Sequence, residues 1–188
     1  MRCIRLRTAR QRTTALLFAV ALTIPQTATA SRQDLYDRFF ANVLAGQPCF
    51  ARTYDDVYLK AHPKQQVQSI EIDLSKANSD GTPNAPDHFE LGFALMLKTS
   101  PEWYGQAASC ETGDEGFDCY LEADGGVFHL TPAENGGLRL KTGESGIALE
   151  GSDSVQLSGK IGDDRVFDLV PSREECDAAN AYFATGAE

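Results

Sequence analysis

Between Val67 and Val170 the chain consists of short strand-like segments separated by glycine-rich turns, and this spacing limits the folds open to it. The clearest segments are Val67–Leu74 and Phe89–Lys98, in which apolar residues alternate with polar or small ones. A period of two is typical of a β-strand that buries one face. We therefore predict that both strands are half-buried, and that the odd-numbered residues of the second face the core.

Seven further segments follow, each short and rich in β-branched, aromatic or leucine residues: Trp103–Cys110, Phe117–Glu122, Gly126–Thr131, Leu138–Thr142, Ile147–Glu150, Val155–Ser158 and Arg165–Val170. The connectors, among them Gly143–Gly146, contain glycine or asparagine, which supply the positive φ of tight hairpins. About eight or nine strands with no helix between them predict a mainly β fold. We expect an antiparallel up-and-down meander that closes as a barrel or stacks as a sandwich.

Helices are predicted at both ends of this strand region. In Ser31–Ala45 the apolar residues recur at three- and four-residue spacing, and a second short helix is expected from Tyr54 to Ala61 with Thr53 as its N-cap. Ser172 is the predicted N-cap of a last helix that reaches about Phe183. The predicted organisation is a leader (1–30) and one β-barrel-like domain (31–188), divided into a helical cap (31–65), strands (66–170) and a C-terminal helix (171–188).

The first thirty residues have the pattern of a cleavable export signal. Five arginines without any carboxylate precede the apolar run Ala15–Ile24, and Pro25 is followed by the small-x-small site Ala28–Ala30. Ten apolar residues are too few to span roughly 30 Å of hydrocarbon as a helix. The sequence therefore predicts a periplasmic or secreted protein that begins at Ser31 and has no stable membrane anchor after cleavage.

Charge narrows the range of partners. The whole chain has 27 acidic and 17 basic residues, a net charge of −10, and removal of the five leader arginines makes it −15. Such a surface repels nucleic acid and anionic membranes, and it attracts basic proteins over about one Debye length, ~8–10 Å. A basic protein partner is therefore one expectation, and the alternative is that acidity only keeps an exported protein soluble.

Four cysteines remain once the leader is removed: Cys49, Cys110, Cys119 and Cys176. An even number in an oxidising compartment favours two disulfides, and three connectivities are possible. Cys110 and Cys119 bracket a turn-rich stretch, so the economical pairing is Cys110–Cys119 with Cys49–Cys176. A zinc site would need CxxC-type spacing or nearby histidines, which the sequence lacks.

Residues with catalytic chemistry are sparse. His62, His88 and His129 are scattered, and Gly143–Gly146 is one residue short of a nucleophile elbow. Because His129 is out of phase with its apolar neighbours, we expect it to face away from the core. The acidic clusters near Asp114 and Asp163 lack the spacing of an EF-hand, and the second is expected to be a turn with a local ion pair. No metal or cofactor is predicted, and whether the protein is an enzyme stays uncertain.

Aromatic residues provide the candidate ligand- or partner-binding positions. Trp103 and Tyr104 begin a strand and could line a barrel mouth, where stacking on a ligand is favourable; the alternative is that Trp103 is core. Arg52 and Tyr54 follow Cys49 and either contact a ligand or pack the helical cap onto the barrel. The loop Ala77–Asp87, rich in turn residues, is expected over one mouth, where loops often contact partners.

At the level of fold alone, this layout resembles small exported barrels such as lipocalin-like binders and periplasmic enzyme inhibitors, and a fold does not carry a function with it. Three functions are compatible with the sequence. A binder of a small apolar ligand requires a cavity beneath Phe89, Phe93, Phe128 and Phe167. An inhibitor of, or adaptor for, a cationic secreted protein predicts a filled barrel and salt-sensitive binding. A hydrolase would need a cleft in which a histidine and a carboxylate converge.

Overall fold

The computed structural model describes residues 31–41, 49–149, 154–172 and 176–182, so the predicted leader lies outside the described residues. Nine strands are present in this part of the chain: β1 Phe50–Thr53, β2 Val67–Leu74, β3 Phe89–Leu97, β4 Trp103–Thr112, β5 Phe117–Leu121, β6 Gly126–Pro132, β7 Leu138–Leu149, β8 Val155–Leu157 and β9 Val166–Pro171. The helices are α1 Arg32–Tyr36, which continues as a π-helical turn Asp37–Ala41, α2 Asp56–Ala61 and α3 Asp177–Asn180, and a short 3₁₀ turn covers Glu134–Gly136.

Eight of the strands form a closed antiparallel barrel, which confirms the predicted fold class. Strands β1 to β7 pair in sequence order, and the ring is completed by β7 with β9 and by β9 with β1. The extra strand, β8, pairs with the second half of β7. Because neighbouring strands run in opposite directions, β1, β3, β5 and β7 all begin at the end of the barrel near α1, which we call the α1 end. The opposite end carries α2 and is called the α2 end.

Strand β7 corrects the predicted turn at Gly143–Gly146, because the chain runs through these residues as one strand of twelve. Gly146 adopts φ +83°, and a Cβ at this position would overlap the carbonyl oxygen of Leu157. The glycine therefore allows a local bend and a close backbone approach rather than a reversal. As a result the first part of β7 pairs with β9 and the last part with β8.

Strand β3 is buried on both faces from Phe89 to Leu95, although its alternation predicted one exposed face. Two segments cover the outer face: the loop before β3 contacts Glu90 through Ser79, and the C-terminal segment lies over Ala94. Ala179 packs outside the barrel in a small apolar cluster with Ala94 and the two cysteines Cys49 and Cys176. Small residues on the outer face of β3 thus make room for a second layer, which local sequence periodicity does not reveal.

The helical ends differ in their bounds from the prediction. Residues 50–53, assigned to the helical cap, form strand β1, and α2 is capped by Asp55, whose side chain accepts the backbone N–H of Tyr58 (2.7 Å), instead of by Thr53. Ser172 does not begin the last helix, because its backbone N–H donates to the carbonyl of Cys49 at 2.9 Å and prolongs the β1–β9 pairing. Helix α3 follows Cys176; residues 173–175 lie outside the described residues.

Candidate functional site

The barrel interior is occupied by side chains at the four positions beneath which a ligand cavity was considered. Phe89, Phe93 and Phe128 have no solvent-accessible surface, and Phe167 retains 1%. A void large enough for a ligand beside these rings would leave part of their surface accessible. They belong instead to a single apolar cluster that runs through the described residues of the barrel. Surface open to a ligand or partner therefore lies at the ends of the barrel and on its outer face.

Helix α1 and the π-helical turn after it close the α1 end of the barrel with aromatic side chains that belong to the core. Tyr36 of α1 and Phe39 and Phe40 of the π-helical turn that continues it are buried. The ring of Phe40 lies 4.9 Å from that of Phe117 and 5.0 Å from that of Phe89, measured between centroids, and 6.1 Å from that of Phe50. These three partners stand at the starts of β5, β3 and β1. Edge-to-face and tilted aromatic contacts of this kind add to the burial of apolar area, so the helix acts as a plug.

The α2 end carries a column of aromatic rings. Tyr54, which directly follows β1, stacks on Tyr58 at 4.7 Å, and Tyr58 stacks on His62 at 4.0 Å with an interplanar angle of 18°. The guanidinium of Arg52 lies 5.2 Å from the centroid of Tyr54. Burial raises the pKa of Tyr54 to about 12, and the neighbouring Tyr58 adds to this rise. Tyr54 belongs to the main apolar core and Tyr58 packs against that core, so the two rings hold α2 on the barrel.

The carboxylate of Asp164 fixes the α2 end. It is buried and accepts the backbone N–H groups of Gln66 (2.7 Å) and Val67 (2.9 Å). Burial raises its pKa, while the two backbone hydrogen bonds act in the opposite direction. The predicted local ion pair with Arg165 is not formed, because that guanidinium donates to the carbonyls of Gly162 and Lys160. Sequence reasoning missed Asp164 since its partners are 97 and 98 residues away.

The other predicted pair of binding residues, Trp103 and Tyr104, is divided between two faces of β4. Tyr104 is buried in the main core, and its hydroxyl donates to Glu102 Oε2 at 3.3 Å. Trp103 is partly buried and packs against the outer cluster beneath the C-terminal segment. The two rings do not form one surface, and their role in binding stays a prediction.

The cysteines pair as expected from the sequence: Cys49 with Cys176, and Cys110 with Cys119. The second bridge joins directly opposed residues of β4 and β5. It braces the hairpin Cys110–Cys119, which we call the acidic hairpin because it carries Glu111, Asp114, Glu115 and Asp118. The first three of these are exposed, and Asp114 makes a surface contact of 3.4 Å with Arg32 of α1.

The three histidines lie apart from one another. His129 faces outward, as predicted, and its Nδ1 is hydrogen-bonded to Asp118 on the neighbouring strand. Nδ1 of His88 is 3.5 Å from the hydroxyl of Ser109, and Nδ1 of His62 bonds to the carbonyl of Tyr58. Within the described ranges, no group of three or more histidine, cysteine, aspartate or glutamate side chains is placed to hold a metal ion.

The loop Ala77–Asp87 is held by polar contacts at the α1 end. The buried carboxylate of Glu90 accepts the backbone N–H of Ser79 (2.9 Å) and the hydroxyl of the same residue (2.7 Å). Asn84 donates to the carbonyl of Ser75 at 2.6 Å. These bonds give the loop a defined shape. The loop lies beside the acidic hairpin, since the Thr112 N–H donates to the Pro86 carbonyl.

No family model, curated protein or solved structure matches the chain. Among the helices of the described residues, none has the length and apolar character needed to cross a membrane.

Proposed function

We propose that this protein is an exported, non-catalytic binding protein that contacts a cationic protein through its outer surface at the α1 end. The observation that carries the proposal is the filled interior. Phe89, Phe93, Phe128 and Phe167 are together at most 1% exposed, and α1 occupies the mouth above them. Because these side chains leave no room for a ligand in the interior, we propose that binding takes place on the surface.

The charge of the chain supports a cationic partner. Carboxylates outnumber basic side chains by 27 to 17 over the whole sequence, and the acidic hairpin exposes three of them, Glu111, Asp114 and Glu115. The Cys110–Cys119 bridge limits the motion of this hairpin, so less conformational entropy is lost when a partner binds. Complementary charges chiefly increase the association rate and confer specificity, and both fall as the salt concentration rises.

The structural disulfides also support export. Such bonds persist in oxidising compartments and are rare in the cytosol. Cys49–Cys176 and Cys110–Cys119 are buried, with every one of the four cysteines at most 3% exposed. N-terminal sequencing of protein recovered outside the cytoplasm is expected to begin at Ser31. A retained Met1, or free thiols at the four cysteines, would overturn this part of the proposal.

The binding partner is tested by affinity capture. The purified protein is immobilised and exposed to the periplasmic or secreted fraction of its own source, at about 0.05 M and about 0.3 M salt. A basic protein retained at low salt and lost at high salt is the expected result. The variant Glu111→Gln/Asp114→Asn/Glu115→Gln is expected to retain roughly tenfold less of it, because three favourable charges are removed.

A matched control removes three exposed carboxylates from the α2 end: Asp56→Asn/Asp124→Asn/Glu144→Gln. This variant has the same net charge as the hairpin variant and is expected to bind like the wild type. Equal loss in both variants would mean that only net charge matters, and would contradict the assignment to the α1 end. Stoichiometric binding of an apolar dye to the wild-type protein would instead favour an internal ligand and refute the surface proposal.

A further inference from the structure

Residues 158–164 lie between two strands that follow each other along one edge of β7. Strands β8 and β9 both pair antiparallel with β7, on the side away from β6. The Thr142 N–H still donates to the Arg165 carbonyl at 3.0 Å, so β9 stays on β7 up to that residue. The residues between β8 and β9 are therefore an insertion at the edge of the sheet, and we call them the strap.

The strap reaches across the seam between β1 and β9, which is short. Within the described residues these two strands share two registered pairs, against four between β1 and β2. Strand β1 ends at Thr53, opposite Ser69, so the first residues of β2 lie beyond it. There the strap contacts β2 directly, because the Asp164 carboxylate accepts the backbone N–H groups of Gln66 and Val67. We call this pair of hydrogen bonds the latch.

Polar contacts, rather than apolar packing, hold the strap in place. Asp164 is the only buried residue of the strap, at 3% exposure. Ile161, its one large apolar side chain, is 76% exposed. A segment with so few buried apolar contacts opens at a lower free energy than the core does. The closed position of the strap therefore depends on the latch.

The other hydrogen bonds that involve the strap, among the described residues, are local. The hydroxyl oxygen of Ser158 accepts the backbone N–H groups of Lys160 (3.2 Å) and Ile161 (3.3 Å). The guanidinium of Arg165, the next residue in sequence, donates to the carbonyls of Gly162 (3.2 Å) and Lys160 (3.4 Å). Because none of these bonds involves β2, all of them are kept when the latch opens. The strap is therefore built to move as one unit.

We propose that the strap is a flap that opens at the latch while the barrel stays folded. Opening breaks the two bonds to Asp164 and keeps the pairing of β9 with β7 and with β1. It frees two backbone N–H donors at the start of β2, the kind of group to which an added strand binds. This device goes beyond the binding proposed above, since it lies at the opposite end of the barrel from the acidic hairpin.

Native-state hydrogen exchange tests the proposal with the purified, disulfide-bonded protein at rising sub-denaturing concentrations of urea. In the wild type, the amides of Gln66 and Val67 are expected to be at least roughly tenfold less protected than those of Phe93 and Phe128 in the core. Their exchange is also expected to be nearly independent of urea, because a local opening exposes little surface. Asp164→Asn is expected to lower their protection relative to the core amides by roughly a further tenfold, since charge-assisted bonds are lost.

The matched control is Asp163→Asn, which makes the same change of charge at the adjacent, exposed carboxylate. Its amides are expected to exchange as in the wild type. Trypsin gives a second measurement: cleavage after the exposed Lys160 should be roughly tenfold faster in Asp164→Asn than in the control. If the wild-type amides of Gln66 and Val67 exchange only through global unfolding, or if both variants behave alike, the proposal is wrong. Thermal unfolding verifies that each variant is folded, and the wild-type measurement stands without them.

Discussion

The ring of Tyr182 covers Gly105: a Cβ built on this glycine would lie 2.5 Å from Tyr182 Cε2 and would also overlap the carbonyl oxygen of Phe93. The hydroxyl of Tyr182 donates to the carbonyl of Trp103 at 3.2 Å. Gly105 on β4 and Ala94 on β3 are directly opposed, so small residues on two strands form the floor on which the C-terminal segment lies. The outer layer of the barrel depends on their size.

Gly105→Ala is therefore expected to destabilise the fold by about 1–3 kcal/mol, the usual cost of overpacking a close contact. Chemical denaturation measures the change. Gly113→Ala is the matched control, because its Cβ would meet nothing closer than 3.3 Å, at a carboxylate oxygen of Asp118. A control that loses as much stability as Gly105→Ala would remove close packing as the explanation.

The two disulfides are expected to contribute unequally. Their sequence separations are 127 residues for Cys49–Cys176 and 9 for Cys110–Cys119. In the chain-entropy model the long ring contributes about 5 kcal/mol and the short one about 2.6 kcal/mol. Denaturation of Cys49→Ala/Cys176→Ala and of Cys110→Ala/Cys119→Ala should reproduce this order, with the far-ultraviolet spectrum of the barrel retained. The reverse order would show that strain or packing, not loop closure, governs their contribution.

Glu71 is expected to make stability fall as pH rises. Burial beneath the C-terminal segment raises the pKa of this carboxyl above its ordinary 4.5, although the backbone N–H groups of Ala178 and Ala179 act in the opposite direction. Because the folded state holds the proton more tightly than the unfolded state, this contribution is largest below pH 4.5 and is lost as pH rises through the raised pKa. The free energy of unfolding of Glu71→Gln and of wild type is measured at pH 4 and pH 7. The variant's value minus the wild-type value should be higher at pH 7 than at pH 4.

Asp168 provides a comparison of opposite sign. A side-chain hydrogen bond from Arg139 lowers the pKa of Asp168, so the stability it contributes is present above the ordinary pKa and is lost as pH falls. Relative to wild type, Asp168→Asn should therefore lose stability as pH rises. The effect is small, since both side chains are more than half exposed. Parallel pH trends in the two variants would refute the assignment for Glu71.

Phe40→Ala tests the plug of the α1 end. Removing this buried ring from its contacts with Phe50, Phe89 and Phe117 is expected to cost about 3–5 kcal/mol, as for other buried phenylalanines. The vacated space is apolar, and such cavities bind small apolar molecules. An apolar fluorescent dye should bind this variant and not the wild type. Val57→Ala, at an exposed position, should change neither property.

The sequence predicted most strands because their alternation is local, and β2 was predicted with its observed bounds. It did not predict β1, since Phe50–Thr53 is only four residues long and is defined by pairing with β2, which lies beyond α2, and with β9, the last strand of the described residues. The plug formed by α1 was missed for the same reason. The sequence could have predicted that Trp103 and Tyr104 lie on opposite faces of the sheet, because adjacent residues of any strand face opposite sides. The role of Asp164 could not have been predicted, since it depends on backbone N–H groups at the start of β2 that are remote in sequence.

Closure of the barrel by β1 and β9 has a consequence for the order of assembly. A chain is synthesised from its N-terminus, so β1 has its partner β2 early, yet its other edge stays open until Pro171 is available to pair with Phe50. Throughout that interval the molecule is an incomplete sheet with two free edges, the form most prone to pair with another chain. The Cys49–Cys176 bond forms next to this seam, because Ser172 is already bonded to Cys49 there. A truncation that removes the last twenty residues would therefore leave a sheet that cannot close, and aggregation is the outcome to look for.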